Sequence, residues 1–182
     1  REEAPTCRLL TDFCNLTGGS PVLDILDGLP YSQLKRSFED LDGREGAVSG
    51  VRIRSEFFAN PMRPRTINEL LPALIDPMAT RRRQITFTAL GGAYNRLPET
   101  ATAFVHRREL FMLEHCSSEP GDWVDRSWQI AHTDGSGGVY PNFPDPRLVD
   151  SATAYHGTNI PRLASVKKNY DPHRLFTFSQ SI

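Results

Sequence analysis

The chain has 182 residues, enough for one domain with a stable core of its own. Its 21 basic and 22 acidic side chains leave a formal net charge of -1, so no strong field draws it to nucleic acid or to an anionic membrane. No long apolar run is present to span a bilayer.

The first residues, Arg1-Glu2-Glu3-Ala4-Pro5, lack the features of a secretory signal, which fits a mature product, a fragment or a subunit. The compartment stays open between cytoplasmic and secreted. The cysteines, Cys7, Cys14 and Cys116, are odd in number and show no Cys-x-x-Cys pair. Neither a zinc site nor a disulfide scaffold follows. Cys7 and Cys14 suit a bridge in an oxidising compartment, but free buried thiols are the favoured reading. Asn15-Leu16-Thr17 is a glycosylation sequon, a triplet that also arises by chance.

Residues 1–29 show no clear periodicity and read as a connecting segment, with a turn at Gly18-Gly19-Ser20-Pro21. Ser32 opens a predicted helix whose apolar face is Leu34, Phe38 and Leu41. Val51 and Ile53 alternate with Arg52 and Arg54, which predicts a half-buried strand running into Phe57-Phe58. Thr66 with Glu69 forms a capping box for a helix with Leu70, Leu71, Leu74 and Ile75 on its inner face. Pro72 implies a kink or a late start in that helix. Arg81-Arg82-Arg83 reads as a solvated strand entrance; a phosphate contact is the sharper reading, without support nearby. Ile85, Phe87 and Ala89 define the next strand, and Gly91-Gly92 ends it where backbone can approach a ligand.

A short strand is predicted over residues 102–106, and a longer one over 110–116. The longer strand places Leu110, Met112 and Glu114 on one face and Phe111, Leu113 and His115 on the other. Two readings stand for Glu114. Burial among apolar neighbours would raise its pKa and make it a proton acceptor; equally, it is an edge glutamate in water. His106 and His115 lack metal-ligand spacing, and no metal site is predicted. Asp122 caps a helix whose inner face is Trp123, Val124, Ser127, Trp128 and Ala131.

The glycine-rich stretch 134–138 leads into Tyr140-Pro141-Asn142-Phe143-Pro144-Asp145. Proline-stiffened extended backbone would put Tyr140 and Asn142 on one side, suited to a flat polar ligand. A proline-rich surface turn is the plain alternative. Gly157 closes a short helix, and Asn159 caps another with Pro161 in its first turn. Leu163, Val166 and Tyr170 are its predicted buried stripe, Lys167 and Lys168 face water, and Phe176 and Phe178 anchor the tail. Strands in succession without regular β-α-β alternation indicate an α+β fold, an antiparallel sheet covered by helices, followed by a helical carboxy-terminal segment.

Tyr140-Pro141-Asn142-Phe143-Pro144-Asp145, Gly157-Thr158-Asn159-Ile160-Pro161-Arg162-Leu163, Lys167-Lys168 and Tyr170-Asp171-Pro172 together resemble the carboxy-terminal signature of the berberine-bridge-enzyme-like FAD-linked oxidases, within the vanillyl-alcohol-oxidase group. Leu90-Gly91-Gly92-Ala93-Tyr94-Asn95-Arg96, Phe104-Val105-His106-Arg107-Arg108 and Leu29-Pro30-Tyr31 resemble further landmarks in the family's order. The resemblance implies a connecting segment over 1–29, a substrate-binding domain over 30–135, and a segment over 136–182 that packs on a flavin domain. It implies two-electron oxidation of an alcohol, hemiacetal or amine carbon by FAD, with oxygen as acceptor. The glycine-rich loop and flavin-linked histidine of the family's FAD domain have no counterpart in this sequence, so the resemblance covers the carboxy-terminal portion. An amino-terminal FAD-binding domain or subunit is the implied partner, and a small molecule the implied substrate.

Tyr140 and Asn142 would lie beside the flavin, and Tyr94 and Phe143 would line the substrate wall. Many members place a catalytic tyrosine directly after the asparagine; Phe143 stands there and accepts no proton. Glu114 lies near the position of a functional glutamate in some members and is the candidate base. The competing reading is a non-catalytic α+β domain that binds a protein partner.

Overall fold

The computed structural model describes residues 3–16, 30–33, 36 and 50–182. They fall into two compact units, Arg1–Ala47 and Val48–Ile182. In the first, Glu3–Leu16 form helix α1, where the sequence was read as connection. Leu9, Phe13 and Leu16 recur at helical spacing, the signal which that reading passed over. Cys7 and Cys14 are half-buried rather than buried. The predicted turn at 18–21 lies outside the described residues, as do Leu34, Phe38 and Leu41 of the helix expected from Ser32.

The second unit is built on a three-stranded antiparallel sheet of β1 (Arg52–Phe58), β2 (Arg83–Ala89) and β3 (Phe111–Ser117), with β3 in the middle. The register sets Phe57 and Thr88 on either side of Met112, and Phe58 and Ala89 on either side of Phe111. Side chains alternate across the sheet. Phe58, Leu113 and His115 therefore face one way, and Phe57, Met112 and Glu114 the other. The α+β class read from the sequence is the observed one.

Helices α2 (Pro64–Leu74) and α3 (Trp123–His132) are the elements packed with the Phe58–Leu113 side. The core there is Phe58, Leu70, Leu113 and Ala131. All five residues predicted for the inner face of α3 are buried. Both tryptophans satisfy their indole N–H within the protein: Trp123 donates to the Ala73 carbonyl at 3.0 Å and Trp128 to the Ser55 carbonyl at 2.9 Å. His115 is fully buried beside the Ser127 hydroxyl at 2.8 Å, and burial lowers its pKa to about 4.

Several local expectations are corrected. Helix α2 starts at Pro64, whose fixed φ suits the first turn, rather than at a Thr66 cap. Thr66 is buried, Glu69 pairs with Arg65 at 2.9 Å, and Leu71 and Ile75 are exposed. Arg83 does not face water. It bridges Glu119 at 2.6 Å and Asp76 at 3.2 Å, and the Arg83 bond holds the Glu119 carboxyl down at about 2. Residues 102–106 form no strand, because side chains take up their carbonyls. Asn159 donates to the carbonyls of Glu99 at 2.9 Å and Thr102 at 3.1 Å, and the Tyr94 hydroxyl donates to that of His106. Asn159 is thus spent on this loop and makes no side-chain cap on its helix.

Helices α4 (Ser151–His156) and α5 (Ile160–Tyr170) complete the unit, with Gly157 at φ 45° closing α4 as expected. Nothing in α5 is buried: Val166 is 45% exposed and Tyr170 86%. Phe176 and Phe178, the expected anchors, are exposed as well. The apolar stripe is real but lacks a covering surface among the described residues. None of the helices described is long and apolar enough to cross a membrane.

Candidate functional site

The face of the sheet carrying Phe57, Met112 and Glu114 forms the floor of an open cleft of about 780 Å3. Its walls come from three segments: the turn around Tyr94, the loop Ala103–Arg107, and residues 140–143. All five residues singled out from the sequence, Tyr94, Glu114, Tyr140, Asn142 and Phe143, line this one cleft.

Two hydrogen bonds stitch the chain before Tyr140 to β1. Phe57 N–H donates to the Gly138 carbonyl at 2.9 Å, and Ser136 N–H donates to the Phe57 carbonyl at 2.8 Å. Glu56, wholly buried, accepts from Gly137 N–H at 2.9 Å and contacts His132 Nδ1 at 2.7 Å. Burial raises the Glu56 pKa, against the His132 contact. The glycine-rich stretch is therefore held by backbone and carboxylate alike. Tyr140 N–H then donates to the Ser55 hydroxyl at 2.9 Å.

From Tyr140 the backbone turns rather than running extended, with Phe143 N–H donating to the Tyr140 carbonyl at 3.1 Å. Asn142 Nδ2 donates to the Tyr140 hydroxyl at 2.8 Å, so amide and phenol still meet. The far end is fixed by Asp145, whose N–H donates to the Tyr155 hydroxyl at 2.8 Å and whose carboxylate pairs with Arg54 at 2.6 Å.

The walls are mostly aromatic. Phe57 meets Phe104 and Tyr140 edge-on at 5.9 and 6.3 Å, and Tyr140 meets Phe143 edge-on at 5.3 Å. Behind Phe57 the His106 ring stacks at 4.4 Å, with Nε2 3.2 Å from the Tyr155 carbonyl. Burial lowers the His106 pKa to about 4, so the ring is neutral at neutral pH. Its Nε2 then carries the hydrogen facing that carbonyl. Burial raises the Tyr94 pKa to about 12, and the phenol is committed to the His106 carbonyl. Tyr94 thus offers the cleft a ring face and no labile proton.

Glu114 is half-buried, and burial alone raises its pKa. A carboxylate above its ordinary pKa takes up a proton more readily. It is the sole carboxylate lining the cleft among the described residues. Sequence reasoning did not single out Phe57, Phe104, Arg107 or His156 for the site, although all four line it. Period-two alternation puts Phe57 on the face of its strand opposite Phe58, a signal that was available. Arg107 and His156 carried no signal beyond lying in or beside the quoted motifs. Among the described residues no cluster of His, Cys, Asp or Glu is placed to hold a metal ion.

The fold has counterparts. The solved structure of an aclacinomycin oxidoreductase superposes on 95% of this chain and 40% of its own, with a TM-score of 0.72 and 20% identity, which establishes the fold. An uncharacterized FAD-linked oxidoreductase of Bacillus subtilis (strain 168), YgaK, is 26% identical over 175 residues, covering 92% of this chain and 38% of its own length. A chitooligosaccharide oxidase of Gibberella zeae is 33% identical over 109 residues, covering 50% of this chain and 22% of its own. These relatives are FAD-linked oxidoreductases or oxidases by name. Residues 139–182, which include the Tyr140–Phe143 turn, match the family described as berberine and berberine like. Over those residues the chain carries the family's domain, and its similarity to the FAD-linked oxidoreductases falls on a carboxy-terminal portion of them. It spans less than half the length of these relatives.

Proposed function

We propose that this chain forms the substrate-binding wall of an FAD-dependent oxidoreductase acting on an alcohol, hemiacetal or amine carbon, with oxygen as acceptor. The carrying observation is that Glu114, Tyr140 and Asn142 meet in one open, aromatic-walled cleft. That cleft fits a flat ring: Asn142 is exposed, Tyr140 and Phe143 are half-exposed, and the floor is the hydrogen-bonded sheet. FAD supplies an acceptor for two electrons as hydride. Tyr140 and Asn142 are assigned to the flavin, and Tyr94 and Phe143 to the substrate. Glu114 takes the proton from the substrate's hydroxyl or amine group as the carbon gives up hydride, because Phe143 offers no acceptor and the Tyr94 phenol is occupied.

FAD itself would be held chiefly by a separate FAD-binding domain or subunit. The uncovered face of α5 and the exposed Phe176 and Phe178 support a body docking there, since apolar surface of this extent favours burial. The test joins this chain to the FAD-binding portion of the Bacillus subtilis relative. Bleaching of flavin absorbance is then read without oxygen against alcohols, aldoses and amines. Reduction by one of these classes is expected, strongly slowed by Glu114→Gln. Near-normal reduction in that variant would remove Glu114 as base. Tight FAD retention by this chain alone would overturn the divided arrangement.

A further inference from the structure

Arg107 is the unusual cation of the cleft. Its guanidinium carbon lies 5.0 Å from the centre of the Tyr94 ring and 5.2 Å from that of Phe104. Nη2 donates to the Thr102 hydroxyl at 2.7 Å. Nε is buried and has no hydrogen-bond partner. No carboxylate stands at ion-pair distance from Arg107 among the described residues. Arg54 and Arg83, whose side chains are 9% and 10% exposed, differ from half-buried Arg107. Arg54 has Asp125 and Asp145, and Arg83 has Glu119 and Asp76. A partly desolvated guanidinium with open donors and no counter-ion favours an incoming anion. The surroundings narrow the choice. Aromatic rings flank it, and apart from Glu114 the cleft floor is largely apolar.

Resting on the reading of this cleft as the substrate site, we propose that Arg107 is a specificity residue that holds a carboxylate on an aromatic substrate. The planar guanidinium pairs its open N–H groups with the carboxylate oxygens while the ring of the substrate lies among Phe57, Phe104 and Phe143. Glu114 lines the same cleft with the opposite charge. Like-charge repulsion keeps the substrate carboxylate away from Glu114 and thereby orients the molecule. The end opposite the carboxylate is presented to the proton acceptor.

The probes are benzoate and benzyl alcohol, titrated into this chain at low salt without flavin and followed by NMR. Benzoate is expected to bind about tenfold or more tightly than benzyl alcohol, the effect of a charge-assisted pair. The preference is expected to shrink at high salt and to vanish in Arg107→Met. Equal binding of the two probes by the wild type, or a preference that survives in Arg107→Met, overturns the assignment. Should that variant fail to fold, the Arg107 Nε–H resonance of the wild type decides. A shift with benzoate and none with benzyl alcohol supports the role, and no shift with benzoate overturns it. Neither readout involves redox chemistry, so failure here leaves the oxidase reading standing, and failure of flavin reduction leaves this result intact.

Discussion

Gly138→Ala probes the joint between the glycine-rich stretch and the cleft. A Cβ at this position falls 2.6 Å from His106 Nδ1, 2.7 Å from His106 Cε1 and 3.3 Å from Phe57 Cδ2. The backbone of Gly138 is not in the left-handed region, so the cost is contact alone. His106 has little room to yield: it is buried, stacks on Phe57 at 4.4 Å and is tied to the Tyr155 carbonyl at 3.2 Å. Overpacking of a fixed core site costs about 1–3 kcal/mol. For a domain of this size that lowers Tm by roughly 4–12 °C. Gly137→Ala is the control: its φ is +83° with nothing within 4 Å of the added carbon, so it reads strain without collision. Thermal unfolding of both variants, and of Gly138→Ala combined with His106→Ala, gives the cycle. Removing the His106 ring relieves the collision, so the double variant is expected to be more stable than the sum of the singles by about 1 kcal/mol or more. A wild-type Tm for Gly138→Ala, or strict additivity in the cycle, would refute the reasoning.

Tyr94→Phe leaves the His106 carbonyl short of its donor and is expected to cost about 1–3 kcal/mol in a denaturant melt. In the wild type, ultraviolet titration should show one phenol ionising only near pH 12. Glu114 has a raised folded pKa, so the stability tied to its protonated form is present below its unfolded pKa and lost as pH rises through the folded value. Glu114→Gln is therefore expected to gain stability relative to wild type from acid to neutral pH; a constant difference across that range would contradict the burial. His106 and His115 behave oppositely, since their folded values near 4 lie below the ordinary 6.5. Below pH 6.5 the unfolded chain binds more protons, and each histidine removes stability, up to on the order of 3 kcal/mol by pH 4. NMR titration of either ring with a midpoint near 6.5 would contradict this.

The sheet was legible because β2 alternates Ile85, Phe87 and Ala89 with Thr86 and Thr88, and β1 opens on the same alternation at Arg52, Ile53 and Arg54; alternation is a local property. The face of α3 was legible for the same reason: five residues at helical spacing leave one way to bury two tryptophans. The loop at 102–106 was not. Its composition suits a strand, but distant side chains, Asn159 and Tyr94, consume its carbonyls before a neighbouring strand can. The cleft was half legible. Glu114 was singled out by alternation and resemblance, and Tyr94 and residues 140–143 by resemblance, although alternation gave 140–142 as extended where the backbone turns. Arg107 owes its character to what is missing around it, and no linear pattern records a missing counter-ion.

The tail supplies the sharpest lesson about what a pattern means. Leu163, Val166 and Tyr170 recur at helical spacing, and Phe176 and Phe178 follow. Spacing of this kind states that a face favours burial; it does not state which surface buries it. In the described residues α5 buries nothing, and Leu175, Phe176 and Phe178 are all mostly exposed. Yet this region is not loose. Asp171 accepts from the N–H groups of Leu175 at 2.7 Å and Phe176 at 3.2 Å, and Lys167 closes on both Asp171 and the Phe176 carbonyl. An ordered backbone that presents aromatic side chains outward has already met the conformational cost of docking. A free tail would gain by folding those rings onto its own domain. That it holds them out supports the proposed reading in which a flavin-binding body covers this face.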